Sequence, residues 1–135
     1  MFCSLSNRHG WKVSQADITR AFLHSNIGRK VYIEALDGIQ CYRSNVIWKL
    51  NKDIYGLPTA AKAWNNLVDE SMEAYGLKRL PSKPCIYIYN DHRLIVLIYV
   101  DNVSAFSNSQ EVIDSFYSYL KSKVDLRVIG KLTKF

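Results

Sequence analysis

Residues 94–100, Leu-Ile-Val-Leu-Ile-Tyr-Val, form an unbroken apolar run that ends on an acid and its amide, Asp101 and Asn102, ahead of Val103-Ser104-Ala105. A run this short and this rich in β-branched residues reads as a strand, and a strand apolar at every position is expected to be buried on both faces. A carboxylate delivered at its end is either a turn residue or a metal ligand. A second acid, Asp17, occupies a similar place. It follows Trp11-Lys12-Val13-Ser14-Gln15-Ala16, a segment of strand character, and leads into Ile18-Thr19-Arg20-Ala21-Phe22-Leu23. Two strand-end carboxylates from distant parts of one chain suit a pair of hard cations. A plain strand-end or helix-cap role stays open for Asp17, as a turn role does for Asp101.

Around these acids the pattern predicts an α+β domain. Residues 11–17, 31–35 and 46–50 read as strands, with a short helical turn at Ala21–Asn26. In Ala60–Tyr75 the apolar residues Ala60, Ala63, Trp64, Leu67, Val68, Met72 and Tyr75 recur at three and four, and Gly76 follows as a stop, so this is the clearest helix. Cys85–Tyr89 and Leu94–Tyr99, joined by residues 90–93, read as a hairpin. A second amphipathic helix covers Gln110–Val124. No repeat, low-complexity tract or linker interrupts the chain. Mixed strands with two long helices imply helices on one face of a largely antiparallel sheet.

At 135 residues the chain can bury one core, about two thirds of its unfolded surface. Its formal charge of +6 suits a polyanionic partner, although the cations are scattered and form no tail. Cys3, Cys41 and Cys85 are odd in number, far apart and form no CxxC pair, which suggests neither a disulfide framework nor a zinc cluster and points to reduced thiols. His9, His24 and His92 show no metal-ligand spacing and read as surface or loop residues. The first residues lack an apolar signal core, and no window approaches a membrane span. The expected location is intracellular, in the cytoplasm or nucleus, with no membrane partner.

Five ordered blocks then bear on function. Asp17-Ile18-Thr19-Arg20-Ala21-Phe22-Leu23-His24, Val31-Tyr32-Ile33-Glu34, Trp48-Lys49-Leu50-Asn51-Lys52-Asp53-Ile54-Tyr55-Gly56-Leu57, Ala63-Trp64 and Tyr99-Val100-Asp101-Asn102 resemble, in order and spacing, the reverse transcriptase of copia-type LTR retrotransposons. Pro84-Cys85-Ile86-Tyr87 and residues 125–135 look like that family too. The resemblance implies a polymerase palm of ferredoxin-like topology and two-metal nucleotidyl transfer with Mg2+. By resemblance, Asp17 and Asp101 would bridge two Mg2+ ions, with the Ile18 carbonyl as a further oxygen. Phe22 falls where the family carries the aromatic that blocks a ribose 2′-hydroxyl, and is equally suited to a core. The implied partners are an RNA or DNA template-primer and deoxynucleotides.

The sequence also departs from this family. Asn102 replaces the motif's second aspartate, keeping an oxygen and losing a charge beside a dication. Between unit charges ~4 Å apart, at an effective dielectric of ~20, that charge is worth about 4 kcal/mol before solvent compensation. A quarter of it would weaken metal binding several-fold. After Tyr55-Gly56-Leu57 the family usually shows Lys-Gln; here Pro58 and Thr59 stand there, so the nucleotide-contacting Gln is a shorter Thr59. Lys62 keeps a charge the family usually supplies as Arg. Set against the family, residues 1–135 correspond to a single partial palm without the N-terminal fingers, thumb or RNase H. A palm without a clamp is expected to be inactive alone, as a piece of a decayed element. Two alternatives stand beside this: an active palm completed by a neighbouring reading frame, or a non-catalytic nucleic-acid-binding or interaction module whose Tyr87, Tyr89 and Tyr99 stack bases. The absence of an RNP-type Gly-Phe-Gly-Phe block counts against the last.

Overall fold

A computed structural model describes residues 10–25, 29–34, 46–54, 56–57, 59–89, 91 and 93–132. In chain order the elements are β1 (Lys12–Ile18), α1 (Ala21–His24), β2 (Tyr32–Glu34), β3 (Ile47–Lys49), α2 (Ala60–Tyr75), β4 (Leu77–Leu80), β5 (Lys83–Tyr89), β6 (Leu94–Tyr99), β7 (Asn102–Ser107), α3 (Gln110–Lys121) and β8 (Leu126–Leu132). They fall into two compact units, residues 22–67 and the remainder on either side of them. Cys3, Cys41, His9, His92, Tyr55 and Pro58 lie outside the described residues. Cys85 is a free, half-buried thiol.

The larger unit is built on a six-stranded sheet in the order β4-β5-β6-β7-β1-β8, with every adjacent pair antiparallel. One face of its centre is closed by burial. Ser14 pairs with Ala105 and Ala16 with Val103 across β1 and β7, and all four are buried. The apolar run of β6 departs from the expectation of burial on both faces. Leu94, Val96 and Ile98 are buried, Ile95 and Leu97 are half-buried, and Tyr99 is exposed. The reason lies in the pairing: an antiparallel sheet can bury one face and leave the other partly open, which a run apolar at every position does not disclose.

α2 covers the predicted span from Ala60 to Tyr75 and ends as its sequence requires. Gly76 sits at φ +98°, and a Cβ there would come within 3.2 Å of the Tyr89 ring. Only glycine takes that backbone shape without strain. α3 ends at Lys121, three residues before the predicted end, where Ser122 and Val124 donate to carbonyls of the last turn. The C-terminal end of α2 and α3 are joined through aromatic residues. Tyr75 meets Phe116 edge-on at 5.4 Å between centroids, and the Tyr119 hydroxyl donates to the Ser71 carbonyl at 3.0 Å. Tyr117 reaches the sheet itself, donating to the Ser14 carbonyl of β1 at 2.7 Å.

Three strands, β4, β7 and β8, were not anticipated. β7 reads Asn-Val-Ser-Ala-Phe-Ser, small and half polar, and it is a strand because it lies between β6 and β1 with both edges paired. In the smaller unit β2 and β3 pair antiparallel with Ile33 opposite Trp48. Asp53 is wholly buried there; its Oδ2 accepts from the Ser25 hydroxyl at 3.1 Å, while Oδ1 finds no partner. No described helix is long and apolar enough to cross a membrane.

Phe116 has no exposed surface. Phe116→Ala should cost about 3–5 kcal/mol in urea unfolding, because the hole cannot close around an aromatic-sized void. Burial pushes the Tyr117 hydroxyl up to about 12 from 10.0. A raised folded-state value means the unfolded chain gives up this proton first, so the stability it confers is complete below pH 10 and lost between there and pH 12. Urea midpoints across that range should fall more steeply for the parent than for Tyr117→Phe, by up to about 2–3 kcal/mol.

Candidate active site

The two candidate acids are brought together by strand pairing. β1 and β7 run antiparallel with Asp17 opposite Asn102, so these two side chains leave the sheet on the same face. β6 and β7 are joined by the two-residue turn Val100-Asp101, closed by the pair Tyr99 and Asn102. The Ile18 amide donates to the Asp101 carbonyl at 2.7 Å, tying that turn to the end of β1. Asn102 Nδ2 in turn donates to Asp101 Oδ1 at 3.0 Å, linking the Asp101 carboxylate to the face Asp17 occupies. Asp17 and Asp101 are half-buried and Asn102 is exposed, so the group is open to solvent and to solutes.

The turn carries strain. Val100 sits at φ 55°, in the left-handed region that a β-branched side chain rarely enters. Such a residue costs on the order of 1–3 kcal/mol and persists only where its surroundings over-determine it. Here the pairing of Tyr99 with Asn102 and the Ile18–Asp101 bond fix both ends of the turn. Arg20, on the turn after β1, has a similar φ of 54°.

One neighbour of the acids escaped sequence reasoning. β8 pairs with the other edge of β1, and Arg127 stands opposite Asp17. Asp17 therefore lies between Arg127 on one side and Asn102 on the other, in a row across three strands. A bulge in β8 sets this placement: Gln15 pairs with Gly130 and Ala16 with Val128, leaving Ile129 unpaired and exposed. Gly130 takes φ +147° beside it. No spacing in the sequence marks a bulge, although a glycine inside a strand-like stretch is the usual hint.

Of the remaining candidates, Ile18 is buried at the end of β1. Phe22, Thr59 and Lys62 belong to the smaller unit. Phe22 is half-buried in α1, and its carbonyl accepts from the Ser25 hydroxyl at 2.9 Å. Thr59 immediately precedes α2; its Oγ1 is buried without a hydrogen-bond partner. Lys62 is exposed on the first turn of α2. Of the tyrosines weighed for base stacking, Tyr87 is ruled out. It is buried, its hydroxyl donates to Asp69 at 2.6 Å, and burial raises its pKa well above the usual tyrosine value. Tyr89 is half-buried, with the Arg93 guanidinium 6.0 Å over its ring. Tyr99 is 70% exposed beside the acids.

For a cation, the site offers two carboxylates and an amide. Among the described residues no three His, Cys, Asp or Glu side chains come together. The donors are hard oxygens, which fits a small divalent ion, and they carry one charge fewer than three carboxylates would.

Comparison with known proteins bears on this arrangement. The reverse transcriptase (RNA-dependent DNA polymerase) family profile matches residues 1–135. The retrovirus-related Pol polyprotein from transposon TNT 1-94 of Nicotiana tabacum is 28% identical over 123 residues, which is 88% of this chain and 9% of that polyprotein. The putative transposon Ty5-1 protein of Saccharomyces cerevisiae is 25% identical over 122 residues, 88% of this chain and 40% of that protein. The Pol polyprotein from transposon RE1 of Arabidopsis thaliana is 26% identical over 120 residues, 87% of this chain and 8% of that one. The chain thus spans a small part of these relatives. No solved structure matches it.

The strain at Val100 can be measured. Val100→Gly should raise stability by about 1 kcal/mol in urea, since relief of the left-handed conformation outweighs the extra chain entropy of glycine. A loss of stability would mean that the Val100 side chain contributes more by packing than its backbone costs.

Proposed function

The chain belongs to the reverse transcriptase (RNA-dependent DNA polymerase) family, in the branch of copia-type retrotransposon Pol polyproteins, and on that footing we propose that its six-stranded unit is a polymerase palm whose metal site is attenuated by Asn102. The observation that carries the reading is the pairing of Asp17 with Asn102 beside the turn that presents Asp101. The topology supports it. Taken alone, β1-α2-β6-β7-α3-β8 is a βαββαβ unit with strands in the order β8-β1-β7-β6, a ferredoxin-like arrangement that β5 and β4 extend.

In this reading Asp17 and Asp101 would hold two Mg2+ ions, with the Ile18 carbonyl as a further oxygen. When bound, such ions would supply Lewis-acid stabilisation of an attacking hydroxyl and a departing pyrophosphate. The chain's own residues set how well they are held. Asn102 brings no charge, and its amide engages an Asp101 oxygen that a metal would otherwise take. Arg127, across from Asp17, adds a positive charge to the same row and so opposes a dication further. Template-primer and deoxynucleotides are the partners, and Phe22, Thr59 and Lys62 are the residues that the family resemblance assigns to the nucleotide. The buried Thr59 hydroxyl makes it a poor replacement for a nucleotide-contacting Gln.

Manganese titration and primer extension on an RNA template test this. The parent chain is expected to show no measurable extension, and Asn102→Asp to tighten Mn2+ binding about 10- to 100-fold, the range typical of changes beside metal ligands. Asp17→Ala should abolish that gain. Unchanged affinity in Asn102→Asp would remove Asn102 from any metal site. Extension by the parent that Asp17→Ala abolishes would show that the amide suffices for catalysis.

A further inference from the structure

The C-terminal end of α2, the β5–β6 hairpin and the first turns of α3 border a cavity of about 280 Å3 within the larger unit. It lies at the opposite end of β6 from the acids: Leu94, in its wall, is separated from Tyr99 by the length of the strand, roughly 17 Å at the usual rise per residue. Four apolar or aromatic side chains shape it. Leu94 is buried, and Tyr75, Tyr89 and Val112 are half-buried. Their positions are held from outside the cavity. Tyr75 stands edge-on to Tyr89 at 6.4 Å between centroids and tilts against Tyr119 at 4.9 Å, while the Arg93 carbonyl accepts from the buried Ser107 hydroxyl at 2.6 Å. A cavity formed in advance limits the ordering cost of binding.

Two charges of opposite sign, Arg93 and Glu111, line the same cavity without pairing with each other. Arg93 lies over the Tyr89 ring and forms an ion pair with Asp91 through Nε, so among the described residues its two terminal nitrogens keep their donors free. Glu111, exposed on the first turn of α3, has no ion-pair partner among the described residues. We propose that this cavity binds a free aromatic α-amino acid, its ring against Tyr75, Leu94 and Val112, its carboxylate on Arg93 and its ammonium on Glu111. The argument is one of size and charge. A cavity of about 150 Å3 takes benzene, so this larger one has room for a ring with a short polar tail. An aromatic ring gains on Tyr75 beyond the area it buries. A simple acid would meet repulsion from Glu111, and a simple amine repulsion from Arg93. A molecule carrying both charges on one carbon answers both. None of this draws on the palm reading, and the site is far from the acids that carry it.

The test is titration of the full chain with L-phenylalanine, followed by the methyl NMR signals of Leu94 and Val112, in EDTA so that no metal contributes. Both signals should shift and saturate with a Kd on the order of 1 mM, as expected for a ligand of this size. Phenethylamine and 3-phenylpropionate, which each lack one charge, should bind about 3- to 5-fold more weakly, the range for one solvent-exposed ion pair. Glu111→Gln should lower phenylalanine to the level of 3-phenylpropionate and leave 3-phenylpropionate no weaker. Arg93→Gln should lower it to the level of phenethylamine. The proposal is overturned if no saturable shift appears well above that concentration, if shifts occur only away from Leu94 and Val112, if the three compounds bind alike, or if Glu111→Gln binds phenylalanine as the parent does. Equal binding of N-acetyl-phenylalanine amide, which has neither charge, would assign the cavity to an aromatic side chain of a protein partner and equally overturn it.

Discussion

The register between β1 and β7 is the constraint on which the candidate active site depends. It is held from the buried face, where Ser14 meets Ala105 and Ala16 meets Val103, all but excluded from solvent. Those residues are small, and the Tyr117 hydroxyl of α3 reaches the β1 backbone at Ser14. Sliding β1 by one residue would turn its buried set outward, at a cost of several apolar side chains, and would face Asp17 toward the core. Packing on one face therefore fixes where a carboxylate stands on the other. No contact made by Asp17 itself is needed for this.

The same register decides what the residue at position 102 faces. The β6–β7 turn is too short to aim its residues independently: Tyr99 and Asn102 are paired across it, and Ile18 holds Asp101 from the side. Whatever occupies position 102 is presented to Asp17. With an amide there, the group has two acids, an internal hydrogen bond that engages one of them, and Arg127 on the opposite flank. Each of these lowers the local negative potential. On the proposed palm reading, the backbone that would present cation ligands is kept while the charge that would draw a cation is reduced.

Much of the architecture was legible because local pattern and tertiary context agreed. The span of α2 followed from apolar recurrence and Gly76, and the β5–β6 hairpin from two apolar runs around a polar loop. The failures have equally local causes. β7 lacks the composition of a central strand and becomes one only because β6 and β1 supply partners on both edges. Tyr87, weighed as a base-stacking residue, is instead buried and bonded to Asp69, which itself pairs with Arg79. Alternation along β5 does not show which face a helix will cover.

Sequence by itself determined the family blocks, the strand-end placement of Asp17 and Asp101 and the loss of charge at Asn102, since these follow from residue identity and from periods a single strand or helix expresses. Tertiary structure alone decided the neighbours. Arg127 stands against Asp17 only because the unpaired Ile129 shifts β8 by one residue at Gly130. Without that bulge Val128 would take the place. A residue's partner across a sheet is set by register, and register comes from the packing of whole strands, a quantity that no local pattern contains.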